Sequence, residues 1–393
     1  MEVDSLTRLF PSTYTVNRLG HAEIGGCDLV EVAAEHGTPL YVYDELTVRQ
    51  LCREYMEAMG SVGRVLYSAK AFSSPAFLRL VVEEGLGVDV VSAGELQLAL
   101  AAGCPPELIH FLGNNKSRFD LERAVASGVV VVVDNLHDLE LLRDIVPASR
   151  RLRCQVRVCP GVMPDTHGFI ATGQIDSKFG LGIADGGVQV AVDQILGDDR
   201  LELIGLHFHM GSHISDLRSY LAAMEIMLDL VIELGRTSAW RPQFLDAGGG
   251  LAAPEAGMEF PPTPAQFVAT LRQSLESGCQ TREIETPQLV VEPGRSIAGP
   301  AAVALYTVGA IKDVPGGLRY VGIDGGMGDN IRPKLYGAKY TAVSAHQPLA
   351  ETMQQVTIAG KYCESTDLLI EDVRLPQLKA GELLCVPACG AYT

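Results

Sequence analysis

Val65-Leu66-Tyr67-Ser68-Ala69-Lys70-Ala71-Phe72 is an apolar, strand-like run that delivers one amine, Lys70, toward the protein interior between small residues. An ammonium is strongly hydrated, so an interior position favours either a lowered pKa or covalent use of the nitrogen. Lysines so placed form Schiff bases, because a desolvated amine is neutral and nucleophilic. A solvated lysine at a strand end is the plain alternative, and the surrounding chain has to decide between them.

Outward from this run the sequence keeps a rhythm. Strand-like runs appear at 64–70, 87–92, 108–113, 129–134, 153–159, 203–209, 243–246 and 288–292. Amphipathic helical stretches lie between most of them, among them 74–84, 94–102, 116–127 and 136–144. Such alternation predicts an α/β fold, a closed parallel (β/α)8 barrel over residues 41–299, with a doubly wound open sheet as the competing arrangement. Beyond Gly299 the helical period stops. Runs at 302–311, 320–323, 355–359, 368–373 and 382–386, separated by Gly and Pro turns, predict a C-terminal all-β domain, a sandwich or barrel, over 300–393. The first forty residues share that texture, and 1–40 is expected to pack with the β domain.

The 393 residues are 47% apolar and 20% charged, which fits a globular chain with a large core. A net charge of −17 disfavours nucleic acid and anionic membranes as partners. The start, Met1-Glu2-Val3-Asp4-Ser5, lacks a basic, apolar leader, and the β-branched run 129–133 is too short to span a bilayer. Nine scattered cysteines with no paired C-x-x-C spacing argue against a disulfide framework or structural zinc. A cytoplasmic location is expected, with most thiols in the core.

Unusual motifs fall at strand ends, where a barrel of this kind collects reactive groups. Lys70 closes the first strand and Asp89 lies on the second. The sixth ends in His207-Phe208-His209-Met210-Gly211-Ser212, the seventh in Asp246-Ala247-Gly248-Gly249-Gly250, and the eighth in Glu292-Pro293-Gly294-Arg295. Consecutive glycines let backbone N–H groups approach an anion, and Gly294 with Arg295 adds a second anchor beside them. Glu292, an acid on a buried strand, suits either an ion pair or a pyridinium nitrogen. His207 and His209 form an H-x-H pair that invites a metal, but no further ligands stand at the other strand ends, so no metal is expected. One histidine stacked on a planar ring fits better. Amine, phosphate cradle, pyridine-facing carboxylate and imidazole together describe a pyridoxal phosphate (PLP) pocket.

The sequence closely resembles the fold-type III PLP-dependent decarboxylases, whose barrel is shared with alanine racemase, and within them the diaminopimelate decarboxylase branch. The resemblance runs from about Pro39 to Tyr392 and rests on 67–71, Asp176-Ser177-Lys178-Phe179-Gly180, 207–212, 292–295, Asp324-Gly325-Gly326-Met327, Arg332-Pro333-Lys334-Leu335-Tyr336-Gly337 and Cys363-Glu364-Ser365. It implies that Lys70 carries PLP as a Schiff base, His209 stacks on the ring and Glu292 pairs with its nitrogen. Asp89, Ser212, Gly249, Gly294, Arg295 and Tyr392 complete the cofactor set. It implies a homodimer with shared active sites, in which Cys363 and Glu364 of one subunit complete the other's pocket and Cys363 delivers a proton after CO2 leaves. Arg295, Arg332 and Tyr336 would take the distal carboxylate of the substrate and Glu364 its distal ammonium. The expected reaction converts meso-2,6-diaminopimelate to L-lysine and CO2, the last step of lysine biosynthesis. Decarboxylation of ornithine, arginine or carboxynorspermidine, racemisation, and PLP binding without turnover are the alternatives. The family pattern continues past Gly390-Ala391-Tyr392 into a helical tail, whereas this sequence stops at Thr393, so a truncated C-terminal domain is expected.

Overall fold

Eight parallel strands close on themselves in the computed structural model, which describes residues 6–162, 177–352 and 354–393. They are β1 (Gly63–Ser68), β2 (Gly87–Val90), β3 (Ile109–Phe111), β4 (Val130–Val133), β5 (Leu152–Cys159), β6 (Leu201–His207), β7 (Phe244–Asp246) and β8 (Gln288–Val291). Each pairs in parallel with the next, and β8 returns to β1 through Val291 opposite Val65. Ring closure excludes the open-sheet alternative. The (β/α)8 barrel is the fold, as the alternation of runs predicts.

The strands read as short apolar runs because both their faces are covered. Val65 and Leu66, neighbours pointing to opposite faces, are both buried. Leu66, Val130, Ile204, Phe244 and Val290, from five different strands, form one cluster. The helices between strands start on side-chain caps: Ser74 accepts from Phe77 N–H with Pro75 next in line, and Ser117 with Asp120 forms a reciprocal capping box. Helix Arg118–Ser127 stops at Gly128 in the left-handed conformation (φ 75°).

The chain divides into two units, one comprising Leu51–Ala252 and Pro261–Ser296, the other Met1–Gln50, Ala253–Phe260 and Ile297–Thr393. The second unit holds a seven-stranded mixed sheet built on the long strand Ala302–Asp313, which pairs with Leu40–Tyr43, Leu383–Pro387 and Arg319–Ile323. Along that strand Val303 and Leu305 join one apolar cluster while Ala304, Tyr306 and Val308 join the other, as period-two alternation requires. The N-terminal strand-like texture resolves into a separate three-stranded sheet of very short strands, Thr15–Val16, Ala22–Ile24 and Cys27–Asp28. Among the described residues no helix is long and apolar enough to cross a membrane. Asp176, first residue of one motif, and the opening five residues lie outside the described residues.

Candidate active site

The carboxyl ends of the barrel strands bring most of the sequence-derived set together. β1 ends at Ser68, and Lys70 sits on the single 3-10 turn Ala69–Ala71 rather than on the strand. Its side chain is 36% exposed, which corrects the expectation of a buried amine. The turn frees the lysine from the sheet while a fully buried carboxylate restrains it: Lys70 Nζ lies 3.6 Å from Asp89 Oδ2. Ser68 Oγ donates to the same oxygen at 2.5 Å, and Asp89 Oδ1 is buried without a hydrogen-bond partner.

Glu292 follows β8 and is 3% exposed. His207 Nε2 lies 3.2 Å from Glu292 Oε2, while Oε1 is buried without a partner. Loss of hydration, reinforced by the charges of Asp246 and Asp89, holds the Glu292 carboxyl well above the usual carboxylate range. Asp246 behaves oppositely. Burial pushes it up, but the imidazoles of His110 and His207 and the N–H of Gly248, 2.9 Å away, outweigh this and leave it ionised. His110 Nδ1 stands 3.6 Å from Asp246 Oδ2. His207 is driven down to about 3, first by burial and then by neighbouring cations. Two acids and two imidazoles thus stand together without access to water.

The sequence did not single out His110, and it placed Asp246 only at the head of the glycine run, with no role. The available signal was a polar residue in each of two otherwise apolar strands, and a reading strand by strand does not gather them. His110, Asp246 and Glu292 offer ligand atoms within 4.8 Å of one another, a grouping compatible with an ion; neither His207 nor His209 of the H-x-H pair belongs to it.

His209 Nδ1 accepts from Gly249 N–H at 3.2 Å, which fixes the imidazole plane. Burial, followed by the positive charges of Lys70 and Arg157, keeps His209 neutral. Gly249 lies against the Glu292 carbonyl closely enough that any Cβ would strike it, and Gly294 leaves only 3.0 Å between a Cβ and those of Ala71 and Ser68. Beside this glycine-lined backbone, Arg295 Nη2 and Nε donate to Ser212 Oγ at 2.9 and 3.2 Å. A second buried ladder flanks the site. Arg157 Nη1 donates to Asp134 Oδ2 at 3.3 Å, and Lys116 Nζ donates to Asp138 Oδ2 at 2.7 Å.

The remaining members belong to the β unit. Arg332 opens a one-turn helix, Arg332–Tyr336, and is 7% exposed. Tyr336 is half-buried, Cys363 and Glu364 are exposed, and Tyr392 takes a left-handed φ of 60°. Seven of the nine cysteines are buried, Cys389 among them with its Sγ 3.1 Å from the Val386 carbonyl; Cys27 and Cys363 are exposed.

Residues 46–299 match the family described as "Pyridoxal-dependent decarboxylase, pyridoxal binding domain". The diaminopimelate decarboxylase of Bacillus subtilis is 42% identical over 381 residues, 96% of this chain and 87% of that protein. That of Mycobacterium tuberculosis is 40% identical, covering 98% and 88%. The crystal structure of the M. jannaschii diaminopimelate decarboxylase with L-lysine superposes with a TM-score of 0.90 at 30% identity, covering 97% and 88%. A barrel with this pocket is that of a pyridoxal-dependent decarboxylase, of fold type III. Within that class, the chain belongs to the diaminopimelate decarboxylase family.

The cofactor of the family is PLP, and the residues present fit it. A buried acid with one oxygen unsatisfied suits a ring nitrogen, and a backbone cradle too tight for any Cβ suits a phosphate beside Ser212 and Arg295.

Proposed function

We propose that this chain decarboxylates meso-2,6-diaminopimelate to L-lysine and CO2 as the closing step of lysine biosynthesis. The observation that carries the substrate reading is Arg332. It is a buried guanidinium with no ion pair among the described residues, and such a charge calls for an anion. A substrate with a second amino-acid head supplies one at its far end; ornithine and arginine do not.

When bound, PLP supplies an electron sink for the pair left at Cα as CO2 departs. Glu292 would hold the ring nitrogen through its unpartnered Oε1, with His207 fixing the other carboxyl oxygen. His209, held neutral and oriented by Gly249, would stack on the ring without adding charge. Ser212, Gly249, Gly294, Arg295 and Tyr392 would hold the phosphate, and Asp89 would retain the Lys70 ammonium until that amine is used. Cys363 donates the proton that Cα takes up. Arg332, Tyr336 and Arg295 hold the distal carboxylate, and Glu364 the distal ammonium.

We assign Cys363 and Glu364 to the pocket of a second copy in a homodimer. Their exposure, with Ile331, Leu335 and Tyr362 also exposed, supports this arrangement. Nine free thiols support a reducing, cytoplasmic setting.

Incubation of the PLP-loaded protein with meso-diaminopimelate is expected to release L-lysine and CO2. No lysine above background, with turnover of ornithine or arginine instead, overturns the substrate assignment.

A further inference from the structure

Arg332 is held in place by a residue that the motif does not include. After the turn Arg332–Tyr336 the chain reverses at Gly337 (φ 67°), where the Ala338 N–H reaches back to the Arg332 carbonyl at 3.4 Å. This reversal lays Tyr340 beside the guanidinium. Arg332 Nη1 donates to the Tyr340 hydroxyl, and Cζ stands 5.6 Å from the centre of the Tyr340 ring. Tyr340 is 9% exposed and belongs to the apolar cluster that contains Tyr306, Val356 and Ile358, so the hydroxyl is presented from a rigid base. Asn330 Oδ1 accepts from the Arg332 backbone N–H at 3.3 Å and fixes the other end of the residue.

A flexible arginine loses much of its rotamer freedom on gripping a carboxylate, whereas one already clamped loses less. The clamp also chooses an edge. With Nη1 turned to Tyr340, Nε remains buried without a hydrogen-bond partner. The fork formed by Nε and Nη2 is thereby left for a bidentate acceptor.

We propose that Tyr340 is a positioning residue for substrate specificity, orienting Arg332 so that its Nε edge receives the distal carboxylate. This rests on the assignment of Arg332 to that carboxylate.

The test uses holoenzyme carrying Tyr340→Phe, Arg332→Gln or both. Phe keeps the ring in the core and removes only the oxygen. L-Lysine retains the distal carboxylate and cadaverine lacks it, so their inhibition constants separate this contact from the rest of the pocket. Tyr340→Phe is expected to raise KM for diaminopimelate and Ki for L-lysine about tenfold, with kcat changed less than about threefold and cadaverine inhibition unchanged. The double variant is expected to be no worse than Arg332→Gln alone. If Arg332→Gln weakens L-lysine but Tyr340→Phe does not, the positioning role is wrong and the Arg332 assignment stands. If Arg332→Gln leaves L-lysine unchanged, the assignment falls and this proposal with it. Equal weakening of L-lysine and cadaverine by Tyr340→Phe reduces Tyr340 to a packing residue and also overturns the proposal.

Discussion

His207 Nε2 and Glu292 Oε2 lie 3.2 Å apart with both side chains essentially inaccessible to water. Both partners titrate away from their ordinary ranges, His207 lower and Glu292 higher. His207, at about 3 instead of 6.5, stays a neutral imidazole in the folded chain between those two values, where the unfolded chain protonates it. A group with a lowered folded pKa contributes stability above its unfolded value and loses it as pH falls through the window down to the folded value. The apoprotein is therefore expected to lose stability as pH drops below about 6.5, with His209 adding to the slope in the same sense. In His207→Gln the unfolding free energy should fall less steeply, by close to one proton or about 1.4 kcal/mol per pH unit. Urea denaturation across that range measures it. An unchanged slope would mean that His207 is solvated in the folded state.

Glu292 gives the opposite sign. Its raised pKa means that the folded apoprotein binds a proton that the unfolded chain releases in the ordinary carboxylate range. Stability from this source is complete below the unfolded value and lost as pH rises toward the folded one. In Glu292→Gln the apoprotein should keep a flatter profile on the alkaline side, read as melting temperature against pH. Asp246→Asn, by removing the nearest negative charge, should move the Glu292 transition down in pH. If both variants track the parent, neither burial nor the Asp246 charge raises the Glu292 carboxyl.

Lys70 is expected to be the attachment point. Borohydride reduction of loaded protein should leave the pyridoxyl label on the peptide containing residue 70. In Lys70→Met that label should vanish while Glu292, Ser212 and the glycine cradle still bind PLP reversibly. A label elsewhere would leave the proposed chemistry without an anchor.

The barrel was legible because each parallel strand is covered on both faces and so appears as a brief apolar run between helical periods. Sheet hydrogen bonding, which periodicity does not report, ends β1 at Ser68 and puts Lys70 on a turn. Motifs within one strand end, such as Gly248-Gly249-Gly250, could be read directly. The group formed by His110, His207, Asp246 and Glu292 could not, because four strands far apart in sequence meet only when the ring closes. Tyr340 was missed for a local reason: it lies three residues beyond the Gly337 turn, and only the reversal there sets it against Arg332.

The Lys116–Asp138 pair is nearly fully enclosed, each side chain 1% exposed. Burial pulls the Lys116 pKa down against the pull of Asp138, so the pair survives on geometry: Lys116 Nζ also donates to the Gly113 carbonyl at 2.7 Å, and Asp138 Oδ2 accepts from Asp134 N–H at 2.9 Å. Removing one partner strands the other, at a cost of about 3–5 kcal/mol. Lys116→Met and Asp138→Leu are each expected to reach that cost, and the double variant to recover most of it. Additive losses in denaturant titrations would show that the two do not interact.

Cys363 tests the reaction and the assembly together. A proton donor at Cα is not needed to bind PLP, so Cys363→Ala should keep full cofactor content while kcat falls by about 10²–10⁴. Loss of cofactor along with activity would make the thiol structural. If the residue works in the pocket of a second copy, Cys363→Ala and Lys70→Met chains are each inactive alone but complementary when mixed. Random pairing makes half the dimers mixed, and each mixed dimer has one pocket with both Lys70 and Cys363. Activity should therefore return to roughly a quarter of the parent value. A mixture as inactive as its components would place Cys363 in its own chain's pocket, or outside any pocket, and would remove the case for shared sites.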